Sequence, residues 1–285
     1  MKNIVWLISY PKSGNTWFRM FLANYLNNSK VPLPLEKIEC SSILNNAEEF
    51  EEKIAMDPFE MSADEVDFYR PELYRILSDE AANTGNILYK KTHDAYTIAG
   101  GQPLFPGEES LCAVYFVRNP LDVCISYSNH CTSEISKSID FILNENAAIG
   151  WNNKKQLRQI LMSWKTHIQS WKNQSAIPVH FLRYEDMLQN PMDTFGDTIR
   201  FIGIEYDEER LKRAIRYSDF KTLKQMEKED GFSERMQQCK SFFWKGKAGN
   251  YRNYLSQEQI DKIVDYNYET MREFGYIDEN GKLTV

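Results

Sequence analysis

Residues 3–17, NIVWLISYPKSGNTW, run from an apolar segment through a short polar turn into a second apolar segment. Residues 3–9 are apolar, β-branched and aromatic, which is typical of a buried strand. From residue 16 to residue 27, large apolar side chains recur at helical spacing, which predicts a helix. The stretch therefore predicts a strand, a turn and a helix in direct succession.

The same alternation of strand and helix continues along the chain. Apolar runs predict further strands at 86–91, 111–117 and 179–184. Helices are predicted at 62–82, 120–131, 138–149, 154–173, 191–202, 207–217, 219–229 and 256–274, with a loop and one short helix over 28–60 and a loop over 99–109. This order predicts an α/β fold with a central, mainly parallel sheet flanked by helices, in a single domain spanning 1–285.

Capping residues mark the starts of two of these helices. Ser62 is followed three residues later by Glu65, which is the capping-box pattern, and Asn119 precedes Pro120, which suits the first helical position. Ligands of open α/β sheets bind beyond the carboxyl ends of the strands. The stretches that follow residues 9, 91 and 117 are therefore candidate functional segments.

Composition excludes several classes of protein. The 285 residues contain no apolar run long enough to span a membrane, and the first residues lack the pattern of a signal peptide. A net charge of −7 argues against a general nucleic-acid binder. The five cysteines form no C-x-x-C pair, and we expect reduced thiols in a cytoplasmic protein without a metal site.

The turn at residues 10–17 has the chemistry of an anion site. A helix N-terminus offers backbone N–H groups and a partial positive charge, and Gly14 lets the backbone approach a ligand closely. Lys12 adds a full charge, and Ser13 and Thr16 add hydroxyl donors. The lysine precedes the glycine, however, so the turn lacks the G-x-x-x-x-G-K-[ST] pattern of the P-loops that bind nucleoside triphosphates. From the turn alone, an ordinary strand-to-helix connection is the slightly favoured interpretation.

Five stretches in order resemble the motifs of sulfotransferases that use 3′-phosphoadenosine 5′-phosphosulfate (PAPS) as donor, including cytosolic members and bacterial members that modify natural products. They are Y-P-K-S-G-N-T-W at 10–17, K-T-H at 91–93, V-R-N-P-L-D-V at 117–123 with Ser126, R-Y-E-D-M at 183–187 and K-G-K-A-G-N-Y-R-N at 245–253. The resemblance covers nearly the whole chain. It implies a P-loop-like three-layer domain and in-line transfer of a sulfuryl group to an acceptor hydroxyl.

The resemblance also implies a role for individual residues. His93 would be the general base, a task that suits histidine because its ordinary pKa lies near neutrality. Lys12 would stabilise the leaving phosphate, and Lys91 would belong to the same catalytic group. The implied donor-binding residues are Lys12, Ser13, Gly14, Asn15, Thr16, Trp17, Arg118, Ser126, Tyr184, Ser218, Phe220, Lys245 and Gly246. No metal is required, and 3′-phosphoadenosine 5′-phosphate (PAP) is the expected product.

Several positions keep a second interpretation. Arg118 could instead form a salt bridge with Asp122, and Ser218 could serve helix packing. Trp244 stands where the family usually has arginine, which leaves open whether Lys245 or Lys247 supplies a charge to the 3′-phosphate. Other lysine-containing turns occur in P-loop kinases and in non-catalytic nucleotide-binding proteins, and both remain alternative functions.

The acceptor side of the chain carries no recognisable motif. Residues 28–85 and 94–109 are expected to shape the acceptor pocket, and the aromatic-rich loop 230–253 is expected to act as a lid segment. The predicted partner is a small-molecule hydroxyl acceptor, with no nucleic acid and no membrane. The sequence specifies neither the acceptor nor the oligomeric state, and a homodimer is one candidate state.

Overall fold

The protein is described from a computed structural model, which covers residues 2–36, 41–151 and 155–285. The strands are β1 (Ile4–Ser9), β2 (Ser41–Ile43), β3 (Leu88–Thr92), β4 (Ile98–Ala99), β5 (Gln102–Pro103), β6 (Ser110–Val117), β7 (Ala148–Ile149), β8 (Gln159–Ile160) and β9 (Val179–Arg183).

The helices alternate with these strands. They are α1 (Asn15–Asn27), α2 (Ala47–Ile54), α3 (Ala63–Thr84), α4 (Pro120–Cys131), α5 (Ile135–Ile142), α6 (Trp164–Asn173), α7 (Tyr184–Gln189), α8 (Pro191–Ile202), α9 (Glu208–Tyr217), α10 (Phe220–Asp230) and α11 (Gln257–Glu273), with short 3-10 turns at Pro58–Glu60 and Asn250–Asn253.

The central sheet has the order β2-β3-β1-β6-β9. β3 pairs in parallel with β1, where Leu7 lies opposite Lys91, and also with β2. From β1 the chain adds β3 on one side and β6 on the other, so the strand order reverses at β1. Ligands of α/β sheets bind at such a reversal. The fold class is therefore the predicted one, a mainly parallel sheet flanked by helices.

Both predicted capping signals are confirmed. The Ser62 hydroxyl and the Glu65 carboxylate form the reciprocal capping box of α3, and the Asn119 side chain accepts a hydrogen bond from the Leu121 amide at the start of α4. The sequence prediction missed several short elements, among them β4 and β5 at the predicted loop 99–109. β2 lies within the predicted loop at 28–60, and α7 begins inside the R-Y-E-D-M motif, directly after β9.

The helices predicted at 138–149 and 154–173 are wrong in part. Helix α5 ends at Ile142, α6 begins at Trp164, and β7 and β8 form an antiparallel pair between them; residues 152–154 lie outside the described residues. Gly150 has a left-handed φ of 82°, and a Cβ there would lie 2.3 Å from the Leu157 carbonyl oxygen. Met162 is also left-handed, and Ser163 caps α6, so a helix cannot continue through this stretch.

The chain divides into two compact units. The first comprises Met1–Tyr10, Ser41–Tyr115 and Glu145–Phe181, and the second comprises Pro11–Cys40, Phe116–Asn144 and Leu182–Val285. In the first unit, the buried Trp6 ring contacts Tyr74 and Phe105 edge-on, at centroid distances of 5.3 and 5.1 Å. In the second, Phe21 and Phe195 stack at 4.3 Å. A single domain over 1–285 stays a prediction.

Within the described ranges, none of the helices combines the length and apolar character that a membrane crossing requires.

Candidate active site

The turn after β1 has an unusual backbone that only certain residues tolerate. Lys12 has a φ of 69° and Gly14 a φ of 97°. A Cβ on Gly14 would lie 2.7 Å from the Tyr184 ring, so a larger residue would clash there. The first helical hydrogen bond of α1 runs from the Phe18 amide to the Gly14 carbonyl at 3.1 Å. The amides of residues 15–17 therefore precede the helical ladder, as in an anion-binding helix N-terminus.

The polar atoms of this turn suit an anionic group. Ser13 is only 1% exposed, and among the residues that the structure describes its hydroxyl oxygen has no hydrogen-bond partner. A buried polar group without a partner costs about 1–3 kcal/mol. The cost would be removed by a phosphate or sulfate oxygen, so the residues of the turn fit the donor implied by the sequence.

Lys12 supplies the charge of the turn. The residue is half-buried, but its ammonium lies 3.9 Å from the centroid of the Phe242 ring, beneath the 230–253 lid segment. Desolvation by this burial, together with a smaller contribution from the nearby Arg118 charge and against opposing contributions from Cys239 and Glu234, lowers the pKa of Lys12 to about 8. An anion bound beside the ammonium would therefore offset the electrostatic cost of burying its charge.

Arg118 follows β6 and contacts the same turn. Its guanidinium donates to the Lys12 carbonyl oxygen at 2.9 Å and lies 4.3 Å from the centroid of the Tyr184 ring. Asp122, the alternative partner of Arg118, accepts backbone hydrogen bonds with both carboxylate oxygens, from Gly249 at 2.7 Å and from Tyr251 at 3.0 Å. Arg118 thus lies against the turn for which the anion-binding role is predicted.

The other predicted donor-binding residues divide into two groups. Trp17 contacts Tyr184 edge-on, at a centroid distance of 6.0 Å, so these two aromatic rings lie together beside Gly14. Phe220 lies against Gly246, where a Cβ would come within 2.3 Å of its ring.

The second group lies apart from these contacts. The Ser218 hydroxyl donates to the Ala214 carbonyl in α9, which supports helix packing. Ser126 lies in the second turn of α4, and in the described ranges no hydrogen bond joins it to Arg118. Lys245 lies over the Trp244 ring at 5.0 Å.

His93 follows β3 in the first unit, and its imidazole has a defined tautomer. The ring Nδ1 lies 2.7 Å from the Ser9 carbonyl oxygen and 3.1 Å from the Ser9 hydroxyl. A carbonyl oxygen can only accept, so Nδ1 carries the hydrogen. Nε2 then holds the lone pair, which is the arrangement that a general base requires.

A second histidine fixes the main chain of His93. His167 in α6 is fully buried; its Nε2 lies 3.0 Å from the His93 carbonyl oxygen and its Nδ1 lies 2.5 Å from the Tyr115 hydroxyl. Nε2 must donate to the carbonyl, so Nδ1 accepts from Tyr115 and the ring is neutral. Burial lowers the pKa of His167 to about 4, which agrees with this state.

Asp94, the residue after His93, also forms buried hydrogen bonds at the end of β3. Asp94 is fully buried and accepts from the Arg70 guanidinium at 2.6 Å, while its carbonyl oxygen accepts from the Trp171 indole at 3.0 Å. Lys91 is 8% exposed within β3. No local pattern predicted the Asp94 contacts, because the partners lie 24 and 77 residues away in the chain.

Within the described ranges, no group of three or more His, Cys, Asp or Glu side chains is placed to hold a metal ion. The absence of a metal requirement stays a prediction.

Comparison with known proteins gives the family of this chain. A family model described as the sulfotransferase domain matches residues 2–275. The chain belongs to the sulfotransferase domain family. It is a PAPS-dependent sulfotransferase, and the recognition made from the five sequence motifs is confirmed.

The relatives of this sulfotransferase are distant in sequence. Cytosolic sulfotransferase 17 of Arabidopsis thaliana is 26% identical over 289 residues, covering 96% of this chain and 76% of the relative. Sulfotransferase 1B1 of Canis lupus familiaris is 26% identical over 269 residues, covering 90% and 79%.

Solved structures share the fold. Mouse sulfotransferase SULT7A1 complexed with PAP superposes with a TM-score of 0.60 at 18% identity, covering 95% of this chain and 84% of the other. Retinol dehydratase in complex with androsterone and inactive cofactor PAP also has a TM-score of 0.60, at 16% identity, covering 97% and 83%.

Proposed function

We propose that this sulfotransferase transfers a sulfuryl group to the hydroxyl of a small molecule or natural product, with Lys12 and His93 as its catalytic residues. The observation that carries the proposal is the turn at residues 11–17. It combines a desolvated ammonium, a buried Ser13 hydroxyl without a described partner and a glycine that no larger residue could replace. These features serve an anionic ligand and have no evident structural use.

PAPS supplies an activated sulfuryl group whose leaving group is the 5′-phosphate of PAP. Amides 13–17 and the hydroxyls of Ser13 and Thr16 would bind the phosphosulfate. Lys12 would neutralise the charge that develops on the leaving phosphate, and fixed charges of this kind are worth most in a desolvated site. The pKa of about 8 of Lys12 would rise again beside the anion.

His93 would remove the proton of the acceptor hydroxyl. In the tautomer set by Ser9, Nε2 takes the proton while Nδ1–H continues to donate its hydrogen bond to the Ser9 carbonyl oxygen. This hydrogen bond stabilises the imidazolium that results. The sulfuryl group then bonds to the acceptor oxygen as its bond to the phosphate oxygen breaks. Positioning and charge compensation supply most of such a rate enhancement.

Arg118 would bind the 3′-phosphate, together with a lysine from the lid segment. The Arg118 guanidinium reaches the Lys247 carbonyl oxygen at 3.4 Å, whereas the Lys245 ammonium lies over Trp244. This main-chain contact brings residue 247 next to Arg118, and the Lys247 side chain would supply the charge of the missing arginine.

The acceptor class rests on the relatives. Their names include a luciferin sulfotransferase and a flavonol 3-sulfotransferase, and both names denote small organic acceptors. We expect a comparable acceptor here. Several relatives are named cytosolic sulfotransferases, which supports a cytoplasmic location.

A screen of phenols, alcohols and sugars with isotope-labelled PAPS tests the proposal, with a mass gain of one sulfate as the readout. We expect transfer by the wild type and its loss in Lys12→Ala and in His93→Ala, while Lys282→Ala, which removes an exposed lysine, retains it. Sulfate transfer that survives both active-site substitutions would overturn the assigned chemistry.

A further inference from the structure

Glu234 in the lid segment binds two residues of α1. One carboxylate oxygen lies 2.5 Å from the Arg19 guanidinium, and the other accepts a hydrogen bond from the Thr16 hydroxyl at 3.1 Å. The side chains of Arg19 and Glu234 are 3% and 14% exposed, so the pair is largely shielded from water. Such a buried charged pair has a defined geometry, unlike a surface ion pair.

The lid segment makes a second contact with the same turn through Phe242, whose ring covers the Lys12 ammonium. The position of this ring is fixed because the Phe242 and Phe243 amides donate to the Glu227 carboxylate, at 2.6 and 3.0 Å. One segment therefore contacts two of the groups that the donor would use, the Thr16 hydroxyl and the Lys12 ammonium.

The Thr16 hydroxyl has one hydrogen to donate, and it can serve only one anionic acceptor well at a time. The 5′-phosphate of the donor and the Glu234 carboxylate are both anionic acceptors, and like charges close together in a poorly hydrated site repel each other. We infer that Glu234 is an internal competitor of the 5′-phosphate, and that it weakens nucleotide binding and speeds release of PAP. This inference rests on the proposed function.

The consequence concerns turnover. Product release limits many enzymes whose site is covered by a loop. When PAP leaves, the Glu234 carboxylate again accepts the hydrogen bond of the Thr16 hydroxyl. This lowers the barrier to PAP release, although the carboxylate takes no part in sulfuryl transfer. Glu234 is then an affinity-determining residue, distinct from the catalytic ones.

The test compares PAP binding by calorimetry in the wild type and in Glu234→Gln. Glutamine keeps the shape of the side chain, and its amide oxygen can still accept from Arg19, so we expect the fold to be retained. We expect the Kd for PAP to fall about 5- to 20-fold, since a charged competitor of this strength is worth on the order of one power of ten. Stopped-flow measurement should assign the gain mainly to slower PAP release.

Two controls locate the effect. Asp230→Asn removes one exposed negative charge four residues earlier and should leave the Kd unchanged. Adenosine 3′-monophosphate lacks the 5′-phosphate, so it should bind the wild type and Glu234→Gln equally. In a Thr16→Val background, which has lost the contested hydroxyl, Glu234→Gln should give a smaller gain.

The outcomes separate the inference from the proposed function. Wild-type protein that does not bind PAP overturns the proposed function itself. Wild-type protein that binds PAP as tightly as or more tightly than Glu234→Gln overturns only the role of Glu234. A gain that is equal for PAP and adenosine 3′-monophosphate also overturns it, because the competition would not involve the 5′-phosphate.

Discussion

Burial of the Lys12 ammonium disfavours its charged form and lowers its pKa, and the pH dependence of the reaction rate should show this shift. With a pKa of about 8, the ammonium loses its proton as the pH rises above that value. We expect kcat/KM for PAPS to fall about tenfold per pH unit above about pH 8, because only the charged form attracts the donor. A pH profile of initial rates measures this.

Lys12→Arg provides the control for that profile. Arginine stays protonated throughout the range, so the residual activity of this variant should not decline above pH 8. A wild-type profile that stays level up to pH 10 would contradict the role of the Lys12 charge in donor capture.

His93 and Ser9 give a matched pair of substitutions. His93→Ala removes the base and should cost about 10²–10⁴ in kcat, while the Kd for PAP stays near the wild-type value. Ser9→Ala should change kcat little, because the stronger contact of Nδ1, at 2.7 Å, is to the Ser9 main-chain carbonyl, which alanine retains. If Ser9→Ala lost as much activity as His93→Ala, the hydroxyl would be the essential contact and the assigned tautomer would be wrong.

Helix α6 makes the strand end that carries His93 sensitive to acid. Below pH 6.5 the unfolded chain protonates His167, whereas the folded protein resists protonation until about pH 4. Stability should therefore fall as the pH drops from 6.5 to 4, by up to about 3 kcal/mol for this group. Urea unfolding at pH 7 and pH 4.5 measures the loss.

His167→Phe should be less stable than the wild type at pH 7, because the Tyr115 hydroxyl and the His93 carbonyl lose their partner. Its further loss on acidification should be smaller than that of the wild type. An equal loss in both proteins would assign the acid sensitivity to other groups.

The C-terminal part of the lid segment is attached to α4 through Asp122. This carboxylate accepts from two amides of the segment, and it is fully buried. Asp122→Asn removes the charge from both bonds, which should cost about 1–3 kcal/mol. We expect faster hydrogen exchange at the Gly249 and Tyr251 amides and a weaker affinity for PAP. Asp140→Asn, at an exposed position, is the control, and unchanged exchange in Asp122→Asn would contradict the anchoring role.

For the whole molecule, the two units differ in the residues they contain. The predicted donor-binding residues all belong to the second unit, whereas Lys91 and His93 belong to the first. Hydrogen exchange with PAP should therefore show protection mainly in the second unit, at 11–17, 116–126 and 240–251, since bound ligand suppresses local opening. ATP should protect less, because it lacks the 3′-phosphate. Protection confined to the first unit would contradict the donor site.

Sequence patterns predicted the elements where local chemistry is decisive. The capping box at Ser62 and the Asn119–Pro120 start are local, because each cap bonds to residues two or three positions away. Residues 143–149 and 155–163 were mispredicted as helical because the β7–β8 pair depends on Gly150 approaching the Leu157 carbonyl and on a left-handed Met162. Neither feature has a periodic signature.

The sequence by itself determined the α/β order, the strand–turn–helix at residues 4–27 and the family, because a strand, a glycine-containing turn and a helix start are specified by neighbouring residues. Only the tertiary structure decided which side chains contact one another. Glu234 accepts a hydrogen bond from Thr16, and the Phe242 ring covers the Lys12 ammonium. Ser9 and His167 form hydrogen bonds with His93, and Asp122 accepts from an amide of the lid segment. Hydrogen bonds and desolvation act over a few ångströms in space, and residues separated by 74 positions (His93 and His167) to 230 positions (Lys12 and Phe242) meet only after folding.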